Sequence, residues 1–556
     1  MNLNDLYGGA RGIVALAVIA VPPGGTCSAT GPVMNDIQFG PPTRLSTTDG
    51  GEATKGRLLR LEYPVSGGGY ETALLVVYGD AVGPPVWNHA GAVHAAQALF
   101  ATRSTDDGLT WSEPVNLSQS ALLSSIEVDH DGIPSTPPVP YHGDSSKATV
   151  FGSGRNVLVA WGDAYCPTGR QRVVSYHEAG GFEVPYRALH IARSADGGAT
   201  WGAPERITDG LRDVAQITPR GNGTVWLVTW QEDPFGLQPG EGEGPGDGGS
   251  GAKTSRGTDI WWIAQAASEF KVFKSFPAPR RLTDNFTTTK AVGGLAYDFG
   301  TVGASRANVG LVGDHAMIAY EEGKGTGEMG AGKYVRYHHF TLLSEAVLDA
   351  TDGAGWIVSD VQEHARRPRV IARASGTNDE LTMVLLYRQG REGMGGPADV
   401  MLRTGRRGYD PQHLVPAVDP AAATVEGAAR NAPAQNMSSR AGLEAPTGAD
   451  PHENARAHRA VIVRDRIAIG FVRTDDWIAA EFANLAHYDY CVRFSVNAGT
   501  TWSSARNLSR IADPRMSVSE PRLIKVPGSP DPAAPSAPNV LFAAWGTQWS
   551  KAWLPP

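Results

Sequence analysis

Two stretches of the chain place imidazole and indole side chains where a soft metal ion could be held. Trp87-Asn88-His89 is one, with His94 close behind it, and Tyr141-His142-Gly143-Asp144 is the other. Two neutral imidazoles facing each other suit Cu(I), which accepts low coordination, and a tryptophan beside them could complete the site or be oxidised by it. The candidate metal residues are Trp87, His89 and His142, with His177 and His190 as rivals for the second imidazole. The other histidines offer less. His452 and His458 are spaced wrongly for one helical face, and His338 and His339 point to opposite faces of a strand. Calcium is the other candidate cofactor. Glu127, Asp129 and Asp131 alternate in one loop, Glu241, Glu243 and Asp247 lie in another, and hard cations take several oxygens from such loops.

The elements that would position these residues are strands. In 556 residues the chain has 67 glycines and 39 prolines, a composition suited to many short strands joined by turns. Ser-x-Asp-x-Gly-x-Thr-Trp occurs at Ser104–Trp111 and Ser194–Trp201, and again at Ser495–Trp502 with Asn497 in place of Asp. The spacing is that of a turn: a small polar side chain caps its own backbone, glycine takes positive φ, and the indole folds back. An alternating strand leads into each copy, and a tail ending in Leu/Ile-Ser/Thr leads out.

A second strand type recurs seven times, at Thr72–Gly79, Asn156–Asp163, Thr224–Gln231, His315–Glu321, Leu381–Arg388, Arg466–Arg473 and Asn539–Gly546. A partner strand follows each of the first six. The last has none, and an N-terminal strand near Asn35–Phe39 is left over to complete it. The expected fold is all-β, a seven-bladed β-propeller over residues 34–556 closed by the N-terminal strand, because closure removes sheet edges. Six blades are the alternative, and two β domains a third. Residues 233–257 and 406–458 read as loop insertions.

Residues 1–26 read as an export signal. Arg11 precedes an apolar stretch, Ile13 to Val21, too short to span a bilayer, and Pro22-Pro23 ends it. Cys27 is a candidate lipid site, and Cys166 and Cys491 could then pair in an oxidising compartment. With a net charge of -8 there is no electrostatic case for nucleic acid. A monomer is expected.

The repeated turn resembles the Asp-box of sialidase-like β-propellers. Sialidases use three arginines for a carboxylate and a Tyr–Glu nucleophile pair; arginine suits the first task through its planar fork. Arg57, Arg60, Arg336, Arg367 and Arg522 are available, but the early Phe/Tyr-Arg-Ile-Pro element is missing. A second resemblance is to the MopE/CorA-like surface copper proteins of methanotrophs. It rests on Trp87-x-His89 with the distant His142, on Trp230-Gln231-Glu232-Asp233-Pro234 through Trp261, and on Glu453–Arg459. It implies Cu(I) bound by His89, His142 and Trp87 oxidised to kynurenine, for copper acquisition or storage at the cell surface or outer membrane, without turnover. A sialidase-like glycoside hydrolase and a metal-free adhesion or scaffold propeller are the alternatives.

Overall fold

In a computed structural model the chain is all-β. The described residues are 14–20, 28–29, 43–46, 52–88, 91–176, 181–236, 257–286, 291–292, 295–296, 303–323, 333–343, 355–360, 363–374, 380–390, 397–408, 434–463, 466–525 and 540–549. Among them are seven four-stranded antiparallel sheets, which follow one another along the chain in a propeller-type succession.

The first sheet runs Thr54–Pro64, Tyr70–Trp87, Val93–Ser104, Val115–Asn116, and the second Ser146–Ser153, Asn156–Asp163, Ala188–Ser194, Glu205–Arg206. The third to sixth sheets begin with Asp213–Gly221, Ala304–Val312, His364–Ala374 and Asn454–Val463, and each ends in a two-residue strand. The seventh pairs Met516–Lys525 with Val540–Trp549, and Val14–Ala20 pairs antiparallel with the latter. The apolar stretch expected to be an export signal therefore coincides with this strand. The segment expected to supply it, 35–39, lies outside the described residues, as does Cys27.

All seven recurring apolar runs are second strands. Asn156–Asp163 and Val225–Asp233 are buried at every position, because a neighbouring sheet covers each face. Such strands show no alternation and read as continuous apolar runs. The core lies between successive sheets. Leu75 and Val77 meet Val157 and Trp161, Leu158 meets Trp226 and Trp230, and Leu227 meets Tyr320. Farther along, Met317 meets Leu385, Leu386 meets Ile469, and Val492 meets Trp545. The first strands pack on one another in chain order and form the inner wall.

The Asp-box turns join third to fourth strands. Ser104 Oγ accepts from Gly108 N at 2.8 Å, and the Asp106 carboxylate accepts from Thr110 N at 2.9 Å. The second copy repeats this through Ser194 and Asp196. In the third, Asn497 Oδ1 takes the Thr501 N–H and its amide donates to Thr501 Oγ1, both at 2.9 Å, so the substitution keeps both bonds. The tail residues Ser118, Thr208 and Ser509 each accept a third-strand N–H, from Leu99, Leu189 and Tyr490. Thr283, Ser359 and Ser438 do the same in the third to fifth sheets. Since strands alternate in direction, these turns lie at the end opposite to where the first strands begin.

Cys166, in the loop after Asn156–Asp163, and Cys491, in the sixth-sheet strand Asp489–Ser495, are both buried and free, so the expected pairing is not made.

Candidate functional site

Every first strand carries the same irregularity near its start. Its pairing skips a residue between Thr54 and Arg57, Ala215 and Thr218, Ser305 and Asn308, Arg366 and Arg369, Arg456 and Arg459, and Ser519 and Arg522. The second sheet has its shift opposite Ala160–Gly162. At each bulge one residue has positive φ: Lys55, Lys147, Gln216, Arg306, Arg367, Ala457 and Glu520, at 46° to 56°. The left-handed region costs a non-glycine residue roughly 1–2 kcal/mol, so seven such residues mark a backbone held in shape by its surroundings. A bulge re-aims side chains. Here it brings cations together at the inner wall.

The guanidinium of Arg369 is surrounded by like charge. Burial, with Arg459, Arg367, Arg220 and Arg306 nearby, pulls its pKa down to about 10. Arg459 is also lowered, by burial and then by Arg522. Two carboxylates, Glu520 and Glu321, answer part of this charge. Glu520 takes Arg522 Nη2 at 2.7 Å. Glu321 is fully buried between Lys333 Nζ at 2.9 Å and Arg306 Nη1 at 3.4 Å. Burial opposes its ionisation, but Lys333 and Arg306 hold the carboxyl well below the usual range. Glu321 also accepts the N–H of Arg367 at 2.7 Å, and His458 Nε2 bonds the carbonyl of the same residue at 2.7 Å. Among the described residues the Arg369 side chain makes no hydrogen bond or ion pair, and the residue is only half-buried. It is a cation in a cationic setting, open to a ligand.

The first two sheets add a cleft of ≈ 350 Å³ at the same end, lined by Lys55, Lys147, Asn88, His94, Gln97, Tyr141 and Asp144 among others. His94 Nε2 lies 3.3 Å from Asp144 Oδ2. That hydrogen bond raises the imidazole pKa, against a smaller opposing effect of burial. Across the cleft Arg187 grips Asp213 through two bonds of 3.1 and 3.0 Å.

The expected copper residues are only partly brought together. The Trp87 carbonyl accepts from Tyr141 Oη at 2.5 Å, which joins the two loops, but the Trp87 indole N–H donates to Glu183 O at 2.8 Å. His142 Nδ1 is buried without a partner. His89 lies outside the described residues, and so does His177. At this place the described residues thus offer one uncommitted imidazole nitrogen and an indole whose N–H is engaged, which does not make a copper ligand set by itself. His190 is stacked on Trp161 with its Nδ1 3.3 Å from Ala188 O. Of the acids expected to take calcium, Glu127 is exposed on the strand Ser124–Val128. Asp129 caps the N–H groups of Asp131 and Gly132, and Asp131 caps Ile133. Residues 241, 243 and 247 lie outside the described residues.

Of the five arginines singled out in the sequence, Arg367 and Arg522 join the cluster and Arg57 holds the matching bulge position. Arg336 is committed to Glu322, and Arg60 to Glu62. Arg306, Arg369 and Arg459 were missed. The available signal was the repeated triplet Arg306-Ala-Asn308, Arg367-Pro-Arg369, Ala457-His-Arg459, Glu520-Pro-Arg522. A Tyr–Glu neighbourhood also exists, Tyr488 beside Glu481 under Arg456, but burial pushes the Tyr488 hydroxyl up to about 12.

No protein-family model matches the chain, and no curated protein matches it. Among solved structures it is similar to the α-L-arabinanase of Penicillium chrysogenum complexed with arabinobiose, with 13% identity over 74% of this chain and 88% of that one and a TM-score of 0.29. It is similar to the intramolecular trans-sialidase of Ruminococcus gnavus, with 10% identity over 75% and 90% and a TM-score of 0.30. The NanB sialidase of Streptococcus pneumoniae gives 9% identity over 80% and 70% and a TM-score of 0.31.

Proposed function

We propose that the chain is a seven-bladed β-propeller closed by Val14–Ala20, and that its inner wall engages a carboxylate-bearing sugar, with glycoside hydrolysis as the reaction class. The observation that carries this reading is Arg369, unpaired among the described residues and set beside Arg367 and Arg459. A half-buried excess of guanidinium is stabilised by an anion, and the planar fork fits a carboxylate in two-point contact. The cleft of the first two sheets supplies the side-chain amides of Asn88 and Gln97 for hydroxyl groups. The His94–Asp144 pair, with its raised imidazole pKa, is the candidate proton donor.

The test is calorimetric binding and hydrolysis of aryl sialosides and aryl uronides by the full chain. Arg369→Gln is expected to weaken binding at least about 10-fold, or about 1.4 kcal/mol. Failure of the wild-type protein to bind any carboxylate sugar ends this reading.

A second reading is copper binding by an exported, surface-associated protein, and the buried, unpartnered Nδ1 of the half-buried His142 favours it. Metal analysis and intact mass of protein from its native compartment test it. Copper in the wild type, lost in His142→Ala, is the expected result; equal metal content in both overturns it.

A further inference from the structure

We infer that the ligand carries two anionic groups, one held by the arginines of the later sheets and one by Lys55 and Lys147 in the cleft of the first two. This rests on the acidic-sugar reading and narrows it to a saccharide bearing two carboxylates, or a carboxylate and a sulfate.

The two lysines stand at equivalent positions, the left-handed residue of the first and second bulges, with φ 49° and 52°. Arg306 and Arg367 stand at the same position in the fourth and fifth. The same backbone device thus presents a cation in four of the seven sheets, in two separate sets. Neither lysine side chain makes a hydrogen bond or ion pair among the described residues. Of the three carboxylates that line the cleft, Asp144 is engaged by His94 and the Gln97 N–H, Asp213 is engaged by Arg187, and Glu52 is exposed to solvent. Desolvation by the cleft walls, then Arg187 and Lys55, lower the Lys147 pKa. Two like charges in one cleft repel until an anion lies between them. The cleft volume of ≈ 350 Å³ is within the range of small-molecule sites. The sheet between the two sets places Gln216 at this position, a neutral donor and acceptor suited to the sugar hydroxyls that would lie between two charged groups.

The experiment compares methyl glucuronide, with one anionic group, against an unsulfated diuronate and a sulfated uronate disaccharide, each with two. Binding to the full chain is measured by calorimetry for the wild type, Lys55→Gln/Lys147→Gln and Arg369→Gln, with folding checked by circular dichroism. The dianionic sugars are expected to bind at least about 10-fold more tightly than the monoanionic one in the wild type, a ratio that the double lysine variant loses. Arg369→Gln is expected to weaken all three. Preference for one dianionic sugar identifies the second group as carboxylate or sulfate. Equal affinity for one and two anionic groups, or a double lysine variant that behaves as wild type, overturns this inference and leaves the acidic-sugar reading standing. No binding of any of the three sugars removes the acidic-sugar reading as well.

Discussion

Arg367 is held in its left-handed conformation from both sides of the residue, by Glu321 at the N–H and His458 at the carbonyl. A carbonyl can only accept, so His458 Nε2 carries the proton and Nδ1 is left as a bare acceptor, buried without a partner. Burial, then Arg369 and Arg459, push the His458 pKa down to about 3. A histidine that is neutral when folded and titrates near 6.5 when unfolded costs stability as pH falls from about 6.5 to 3, at up to about 1.4 kcal/mol per pH unit. Glu232 has the opposite sign. Burial raises it to about 7, so its contribution is complete below its unfolded value of 4.5 and is lost as pH rises through 7. Between about pH 4.5 and 6.5 the two oppose each other. Denaturant midpoints against pH are expected to fall more steeply on acidification in Glu232→Gln and less steeply in His458→Gln than in the wild type. Three parallel curves would remove both assignments. Arg369→Gln belongs to this scale too, because its effect requires only the loss of one unpaired guanidinium.

At the scale of elements, the Asp-box glycines separate two costs. Gly108 and Gly198 have nearly the same φ, 92° and 86°. A Cβ on Gly108 would meet nothing closer than 3.6 Å, whereas one on Gly198 would lie 2.9 Å from Leu75 Cδ1. Gly108→Ala is expected to cost about 1 kcal/mol through conformation alone, and Gly198→Ala about 1–3 kcal/mol more through overpacking. Chemical denaturation of the two variants checks this, and equal losses would contradict it.

The same scale explains what could be read in the sequence. Second strands such as Asn156–Asp163 are plain in the residue pattern, since packing between two sheets demands a long apolar run, and third strands such as Ala188–Ser194 are marked by the turn motif that follows them. The first strands are not. Their bulges break the alternation, and arginine, lysine and proline stand where a buried strand would carry valine. His364–Ala374 opens His-Ala-Arg-Arg-Pro-Arg, a sequence that resembles a loop. The residues most open to a ligand therefore lay in the elements least visible to periodicity. Trp87 and His142 were legible as neighbours because Trp87 ends a second strand and His142 leads into the next first strand, but the bond from the Trp87 indole to Glu183 depends on the hairpin of Val173–Tyr176 and Phe182–Pro185, which no local pattern reveals.

At the scale of the whole molecule, six apolar interfaces join the seven sheets in order. The pairing of Val14–Ala20 with Val540–Trp549 brings the two ends of the chain into one sheet. Removing that strand would leave Val540–Trp549 as an open edge, with unpaired N–H and C=O groups. Deletion of residues 14–20 is expected to lower the unfolding midpoint and produce concentration-dependent association by size-exclusion chromatography. A deletion variant that stays monomeric with an unchanged midpoint would contradict closure by this strand.

The repeated bulge also has a consequence for how such a molecule can change over generations. Below it, each first strand is committed to the sheet behind it; above it, the left-handed residue uncouples the exposed positions from that packing. Positions 55, 147, 216, 306, 367, 457 and 520 already hold lysine, glutamine, arginine, alanine and glutamate on one backbone shape. Recognition can thus be rewritten one position at a time while the scaffold is inherited intact.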